Sequence, residues 1–576
     1  MARTTNERIL NIWLVSLGLL MGLWMRCFWI QGVASRRYTA VLSAQHRLRT
    51  VLPAQRGTIY DRSGRPLALS VLAPSVFANA RQIVAKRQTA ERLAAIVPRD
   101  VTRIQRRLER DKGFVWIARQ LEPEVASQVL DLKMVGLGMM EEPKRRYPHG
   151  HLAGHVVGVV NIDGRGLEGL EMTFNSLLHG QNGWRSTLRD AKGNILIGPW
   201  TAQSPPVNGL DIVLTIDSVV QQLTEEALAW GVKTYHAKGG SVVVMDPYTG
   251  AIFAMANWPV YDPNEPGRSL AEHRRNRAVT DLFEPGSIFK IVSAAALLEE
   301  GKVSPEENVF CEQGTYRTVA GHILHDHKPH GMLSFHDVIK FSSNIGVAKM
   351  AQRLSPEELY RYIRMFGFGQ KTAIDVPGEV NGIIQPPTRW SKLSPFIIPI
   401  GQEIAATPIQ LAVMTAVVAN GGMRVRPYVV ERIQSSDGSV IRVPSTEPPV
   451  RIIRESTAKI LQGMLSSVVE SGTGQLASVD GLQVAGKTGT AQKLEPTGSY
   501  SHSRFFASFV GFGPVPDSRF VIVVSIDEPR PLYFGGVVAA PIFKRIVNPL
   551  ADYWDLRQVP SAPTLTQQSD PVTRKT

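Results

Sequence analysis

The stretch 284–290, Glu-Pro-Gly-Ser-Ile-Phe-Lys, puts a serine and a lysine three residues apart where a helix is expected to begin. From Pro285 to Leu298 the chain is almost wholly apolar, and Lys290 carries the only charge between Glu284 and Glu299. A side chain at Ser287 faces the free N–H groups and the positive end of such a helix. Residues three apart share a helix face, so the Lys290 amine can lie beside the Ser287 hydroxyl. Burial among Ile288, Phe289, Ile291 and Val292 disfavours the ammonium form, and a neutral lysine can take a proton from serine and activate it as a nucleophile. The pattern alone is weak. It recurs at 456–459, Ser-Thr-Ala-Lys, where an amphipathic helix opens and Lys459 belongs on the solvated face.

Context separates the two copies. Only Ser287 is followed by Ser342-Ser343-Asn344 and then by Gly486-Lys487-Thr488-Gly489-Thr490. Other tempting groups carry less. His322, His325, His327 and His330 with Asp326 match no metal-site spacing and read as a surface loop or structural cluster, at most rimming a cleft. His149, His151 and His155 read as scaffold residues, and Gly472-Thr473-Gly474 as a glycine-rich turn with no phosphate-loop lysine.

The elements that position these groups come next. The 576 residues carry a net charge of +14, with arginine spread along the N-terminal third and not gathered in one block. No zinc-finger spacing, basic heptad or aromatic RNA-binding signature accompanies it, so no nucleic-acid partner is expected. An anionic membrane surface or cell-wall polymer fits the charge at least as well. Two cysteines, Cys27 and Cys311, supply neither a disulfide framework nor a metal cluster.

Residues 9–25 hold no charge, and with Arg26 snorkelling at an interface the apolar stretch extends to residue 33. Trp24 and Trp29 suit the interfacial positions. A cleavable signal peptide is the rival, with Val33-Ala34-Ser35 as a small-residue site, but its apolar core is normally roughly 7 to 15 residues. The expected organisation is a short tail over 1–8, a transmembrane signal anchor over 9–33, a pedestal over 36–210, a catalytic domain over 211–557 and a disordered tail over 558–576. In the pedestal, 56–70 reads as strand, Ser-Gly turn, strand, and helices flank Pro98. Residues 164–184 read as a helix closed by a Gly-rich turn, and 188–196 as another hairpin. The catalytic domain opens with a helix capped by Ser218 and Gln221, followed by a hairpin over 239–257. Helices then run from about 286 to 420, strands return within 481–529, and a last helix follows. Strands at both ends with helices between predict one antiparallel sheet covered by helices, an α/β or α+β sandwich.

S-x-x-K, S-x-N and K-T-G in this order resemble the serine β-lactamases and penicillin-binding proteins. The stretches 56–68, 145–158, 166–171 and 245–256 extend the likeness to a class B, high-molecular-weight penicillin-binding protein over about residues 50–550. The stretches 275–287 and 533–543 look most like the cell-division branch, the penicillin-binding protein 3 type. The resemblance implies a peptidoglycan D,D-transpeptidase that works through an acyl-serine and is a target of β-lactams. Ser287 would attack the penultimate D-Ala carbonyl of a stem peptide, with Lys290 as base. Ser342 and Lys487 would relay the proton to the leaving amine, and Asn344 would orient Lys290 and the substrate amide. Thr488, Gly489 and Thr490 would bind substrate, the two threonines holding its carboxylate beside Lys487. The N–H groups of Ser287 and Thr490 would form the oxyanion hole.

No cofactor or metal is implied. No glycosyltransferase region is evident, so a membrane-embedded glycan polymerase and other division proteins are the implied partners. The N-terminus would be cytoplasmic and the catalytic domain periplasmic, at the division site. A D,D-carboxypeptidase, a β-lactamase-type hydrolase and an elongation-type transpeptidase stay open as alternatives. A β-lactam sensor or silent scaffold is less favoured, because no further spans or effector region are visible.

Overall fold

The computed structural model describes residues 2–35, 47–110, 112–189, 195–196, 202–443, 447–495 and 499–557. The expected tail over 558–576 lies outside them. Two compact units divide the chain, one from Met1–Gln55 with His179–Gly209, the other from Arg56–Leu178 with Leu210–Thr576.

In the first unit the uncharged stretch lies within a helix, Ala2–Phe28, which continues as a wider turn over Trp29–Val33. Over Thr5–Val33 it is long and apolar enough to cross a membrane, and none of its most apolar stretch is buried inside the protein. Arg26 lies over the Trp29 ring at 5.4 Å, pairing a cation and an indole of the kind found at membrane interfaces. The strand Gly183–Arg189 pairs antiparallel with Arg47–Leu52, Ile195–Leu196 and Ala202–Ser204. The hairpin expected over 188–196 thus has both strands, and its turn lies outside the described residues.

The second unit begins with a seven-stranded sheet. Its long member, Pro66–Ala78, pairs with Ile59–Tyr60, Val115–Ala118 and Leu137–Arg146, so the strand-turn-strand reading of 56–70 holds. Asp211–Leu214, Val430–Gln434 and Val440–Arg442 complete the sheet. Helices Lys86–Ala94 and Val101–Leu108 flank Pro98 as expected, and Leu93, Ile104 and Leu108 join the apolar cluster beside the sheet. The single helix expected over 164–184 is instead two short ones, Gly169–Thr173 and Asn175–Leu178, parted at Phe174. Glu171, fully buried, accepts from Arg56 and Arg145 at 2.6 Å each, which ties three separate stretches together. Removing either arginine would leave a buried charge short of a partner.

The catalytic part starts with helix α1 (Ser218–Thr234) and strands β1 (Gly239–Met245) and β2 (Ile252–Trp258). The α1 cap differs from expectation. Asp217, one residue earlier, accepts from Val219 and Val220, while the Gln221 side chain turns to Met255 and Glu225. A run of Asp-Ser offers two capping side chains, and the carboxylate takes the N–H groups. The chain then forms α2 (Lys290–Glu299), α3 (Phe335–Lys340), α4 (Asn344–Ala351), α5 (Pro408–Ala419) and α6 (Glu455–Ser471). Strands β3 (Ala485–Leu494), β4 (Tyr500–Gly513) and β5 (Phe520–Asp527) follow, and α7 (Gly535–Tyr553) ends the fold.

These strands form one antiparallel sheet in the order β2-β1-β5-β4-β3, with β3 at an edge. Side chains alternate between its faces with the period of two that a strand imposes. Val243, Met245, Val521 and Val523 meet the cluster of α2, α4, α5 and α6. Val242, Val244, Ile522 and Val524 meet α1 and α7, including Val220, Leu228, Phe543 and Ile546. The sheet is covered on both faces, which is why its strands read as continuous apolar runs. Each fully buried side chain of this kind contributes about 1.5 to 3 kcal/mol.

Candidate active site

Ser287 stands on a tight 3-10 turn, Gly286–Phe289, and the α-helix proper begins only at Lys290. Two glycines allow this turn to meet the edge strand. Gly286 has φ +53, and a Cβ there would sit 2.9 Å from the Thr490 carbonyl oxygen. A Cβ on Gly489 would press to 2.9 Å from the Ile288 side chain. Glycine therefore holds the nucleophile's turn against the Lys-Thr-Gly strand.

Lys290 is fully buried, as its apolar context predicted. Its Nζ donates to the Ser342 carbonyl oxygen at 2.6 Å and to Ser342 Oγ at 3.2 Å. Among the described residues it makes no hydrogen bond to Ser287, the contact expected from the spacing. The amine is drawn instead to the carbonyl of Ser342. Burial pushes Lys290 down to about 7, against the opposing pull of the Asp326 charge and Cys311. Lys487 is also fully buried. It donates to the same Ser342 Oγ at 2.9 Å, and burial and the charge of Lys290 hold it well below the usual lysine range.

Ser342 occupies the left-handed region at φ +62, uncommon for a residue with a Cβ. It sits between α3 and α4, and its hydroxyl meets both lysines. Ser343 caps α4 by accepting from Gly346 at 2.9 Å. Asn344 is the first residue of α4, and its Nδ2 donates to the His325 carbonyl at 2.9 Å. The expected contact of Asn344 with Lys290 is not made among the described residues. Thr488 Oγ1 lies 3.0 Å from Thr473 Oγ1, and Thr490 Oγ1 accepts from the Gly535 N–H at 3.0 Å.

Two contributors escaped the sequence reading. Asp326, from the histidine-rich loop, accepts from Ser343 Oγ at 2.5 Å and from the N–H groups of Asn344 and Ile345 at 2.6 and 3.0 Å. It thus holds the start of α4, where a carboxylate is favoured by the helix dipole. Thr473, from the turn read as merely glycine-rich, faces the cleft beside Thr488. Nothing local marks either residue, because both act across long sequence separations.

Ser287, Ser342, Asn344, Thr488 and Thr490 line one cleft of about 710 Å³. Phe505, Tyr533, Phe534 and His327 form an aromatic wall in it, with Phe505 stacked on Tyr533 at 4.0 Å and His327 against Phe534 at 4.7 Å. The histidine loop therefore rims the cleft through His327 and His330, the latter stacked on Phe341. His155 belongs to the pedestal side, buried and bonded to the His273 carbonyl at 2.9 Å. The second Ser-x-x-Lys behaves as an ordinary helix start, with Lys459 exposed and paired to Glu455 at 2.7 Å.

A serine on a tight turn, two depressed lysines sharing a hydroxyl and a Lys-Thr-Gly edge strand define an acyl-serine enzyme on a helix-covered antiparallel sheet. The penicillin binding protein transpeptidase domain family matches residues 240–548, and the penicillin-binding protein dimerisation domain family matches residues 51–214. The chain belongs to the class B penicillin-binding proteins. It is 36% identical over 552 residues to the probable peptidoglycan D,D-transpeptidase PenA of Neisseria meningitidis, covering 95% of this chain and 92% of that protein. It is 33% identical to the peptidoglycan D,D-transpeptidase FtsI of Escherichia coli, covering 86% and 82%. Its fold is similar to penicillin-binding protein 3 of Mycobacterium tuberculosis in complex with aztreonam, with TM-score 0.70, 30% identity and coverage of 89% and 98%.

Proposed function

We propose that this chain is a peptidoglycan D,D-transpeptidase that cross-links stem peptides and is acylated by β-lactams at Ser287. The observation that carries the reading is the convergence of Lys290 and Lys487 on Ser342 Oγ in the cleft that holds Ser287. Neutral Lys290 takes the Ser287 proton as Oγ attacks the carbonyl of the penultimate D-Ala. The N–H groups of Ser287 and Thr490 receive the developing oxyanion, a contribution of about 3 kcal/mol per donor. The proton taken by Lys290 passes through Ser342 and Lys487 to the departing amine, the C–N bond breaks and D-Ala leaves. Thr488 and Thr490 bind its carboxylate beside Lys487, with Gly489 leaving room for the peptide backbone, and Asn344 meets the substrate amide. An amine from a neighbouring stem peptide then attacks the ester carbonyl and gives a proton to Lys290, the C–Oγ bond breaks, and Ser287 takes that proton back as the cross-link is released.

The same reading gives the helix at the N-terminus the role of a retained anchor over 9–33, with its start inside the cell and the pedestal (36–210) and transpeptidase domain (211–557) outside. Likeness to FtsI supports action at the division site, beside a membrane-embedded glycan polymerase and other division proteins. Labelling with a fluorescent penicillin and mapping the adduct tests the chemistry, and Ser287 is the expected site. Cross-linking that persists in Ser287→Ala would sink the proposal. Rapid turnover of the penicillin would favour a hydrolase instead. Fluorescence of the tagged protein at mid-cell is expected, and a purely lateral distribution would argue for an elongation role.

A further inference from the structure

Three residues before Ser287, Glu284 has no part in the steps above, yet it joins three separate stretches. Its Oε1 accepts from the Glu403 N–H at 3.0 Å and from the Tyr500 hydroxyl at 3.0 Å. Glu403 follows the turn Ile398–Ile400, and Tyr500 is the first residue of β4, where the hairpin from β3 closes. Backbone bonds run beside these contacts. Phe283 exchanges bonds with Ala406 at 3.2 and 3.0 Å, and the Gly286 N–H donates to the Gly401 carbonyl at 3.2 Å. Glu403 itself is held at φ +58, and its carboxylate accepts from Ser394 Oγ at 2.6 Å. A residue with a Cβ in that region persists only where its surroundings fix it.

The titratable groups facing Glu284 are Glu403 and Tyr500, and no lysine, arginine or histidine among the described residues pairs with it. Burial pushes its carboxyl up to about 7, with the two donated bonds acting against the rise. Glu284 therefore works as a hydrogen-bond acceptor and not as half of an ion pair.

We infer that Glu284 is a positioning residue for acylation: its Oε1 ties the Ser287 turn to the 401–403 loop on one side and to the β3–β4 hairpin on the other. The serine is thereby fixed against the strand that carries Lys487 and Thr490. The inference rests on the acyl-serine reading proposed above. A nucleophile displaced by an ångström loses on the order of 100-fold in rate, so a joint at the base of its turn controls chemistry it never touches.

The test is the second-order rate of acylation by a fluorescent penicillin, measured on the full-length protein in detergent and normalised to the folded fraction. Glu284→Ala is expected to slow acylation by roughly 10- to 100-fold. Glu284→Gln keeps the accepting oxygen and is expected to stay within about threefold of the parent. Tyr500→Phe falls between them, and the Glu284→Ala/Tyr500→Phe double variant is no slower than Glu284→Ala alone, because both changes break one joint. Equal losses in the Ala and Gln variants would overturn the inference, as would a Glu284→Ala deficit that vanishes on normalisation, or fully multiplicative losses. A parent protein that takes no label at all would instead remove the acyl-serine reading, and this inference with it.

Discussion

Lys290 and Lys487 meet at one oxygen, their Nζ atoms 3.2 and 2.9 Å from Ser342 Oγ. Two ammonium groups buried this closely cannot both stay charged, and they release protons as a pair. The hydroxyl between them can accept from one amine while donating to the other. That makes Ser342 a bridge for a proton, and its left-handed backbone is what aims the oxygen at both lysines.

The acylation rate should rise with pH and level off, with a midpoint near 7 as Lys290 becomes neutral. Stopped-flow rates with a chromogenic β-lactam between pH 5.5 and 9 measure it. Because Glu284 also sits at about 7, the rise must survive in Glu284→Gln if it belongs to Lys290. Lys290→Arg cannot become neutral and should lose about 1,000-fold or more. A rate that falls across neutral pH would contradict the base assignment.

Lys290 also costs stability, in a way that depends on pH. Its folded value of about 7 lies below the ordinary 10.5. Between the two, the unfolded chain holds a proton that the folded chain has released, so stability rises with pH over that window. Lys290→Met should therefore be more stable than the parent at pH 6, by about 2 kcal/mol. The gain should shrink as pH climbs from 7 toward 10. Urea unfolding at several pH values reads this directly, and a gain independent of pH would show that Lys290 is not the group responsible.

Replacing Asp326 with Ala removes the acceptor of three bonds at the start of α4. A loss of about 1 to 3 kcal/mol is expected, visible as a lower melting temperature. Asp326 also raises Lys290, so the acylation midpoint should move to lower pH in both Asp326→Ala and Asp326→Asn. An unmoved midpoint would confine Asp326 to a structural role.

Ser456→Ala and Lys459→Ala test the specificity of the motif. Lys459 is exposed and bonded only to Glu455 among the described residues. Both variants should acylate at the parent rate. A deficit in either would mean that the second Ser-x-x-Lys contributes to the site.

Much of the site was legible in sequence because its residues sit in short patterns with local physical reasons. A lone lysine in an apolar helix announces burial, and alternating contacts on β1 and β5 follow from strand geometry. The motif copy at 456–459 was separable because its lysine falls on a polar face. Asp326, Thr473 and Glu284 were not legible, since each acts on residues brought close only by folding. The resemblance implies that Asn344 orients Lys290, but α4 begins at Asn344 and turns its amide to the His325 carbonyl. Likewise Asp217 displaced Ser218 as a cap because adjacent polar residues compete for the same N–H groups.

Among the described residues, strand β3 has a neighbour on one side only. A bare strand edge is a template on which any extended chain can add, which makes it a hazard for self-association as well as an opening for a peptide. Here a buried, inward-pointing lysine and two glycines interrupt that edge, and aromatic and helical walls confine it to a cleft. The opening thus admits a short extended segment and excludes the edge of another folded sheet. What keeps the enzyme receptive to a stem peptide is also what keeps one copy from zippering onto the next.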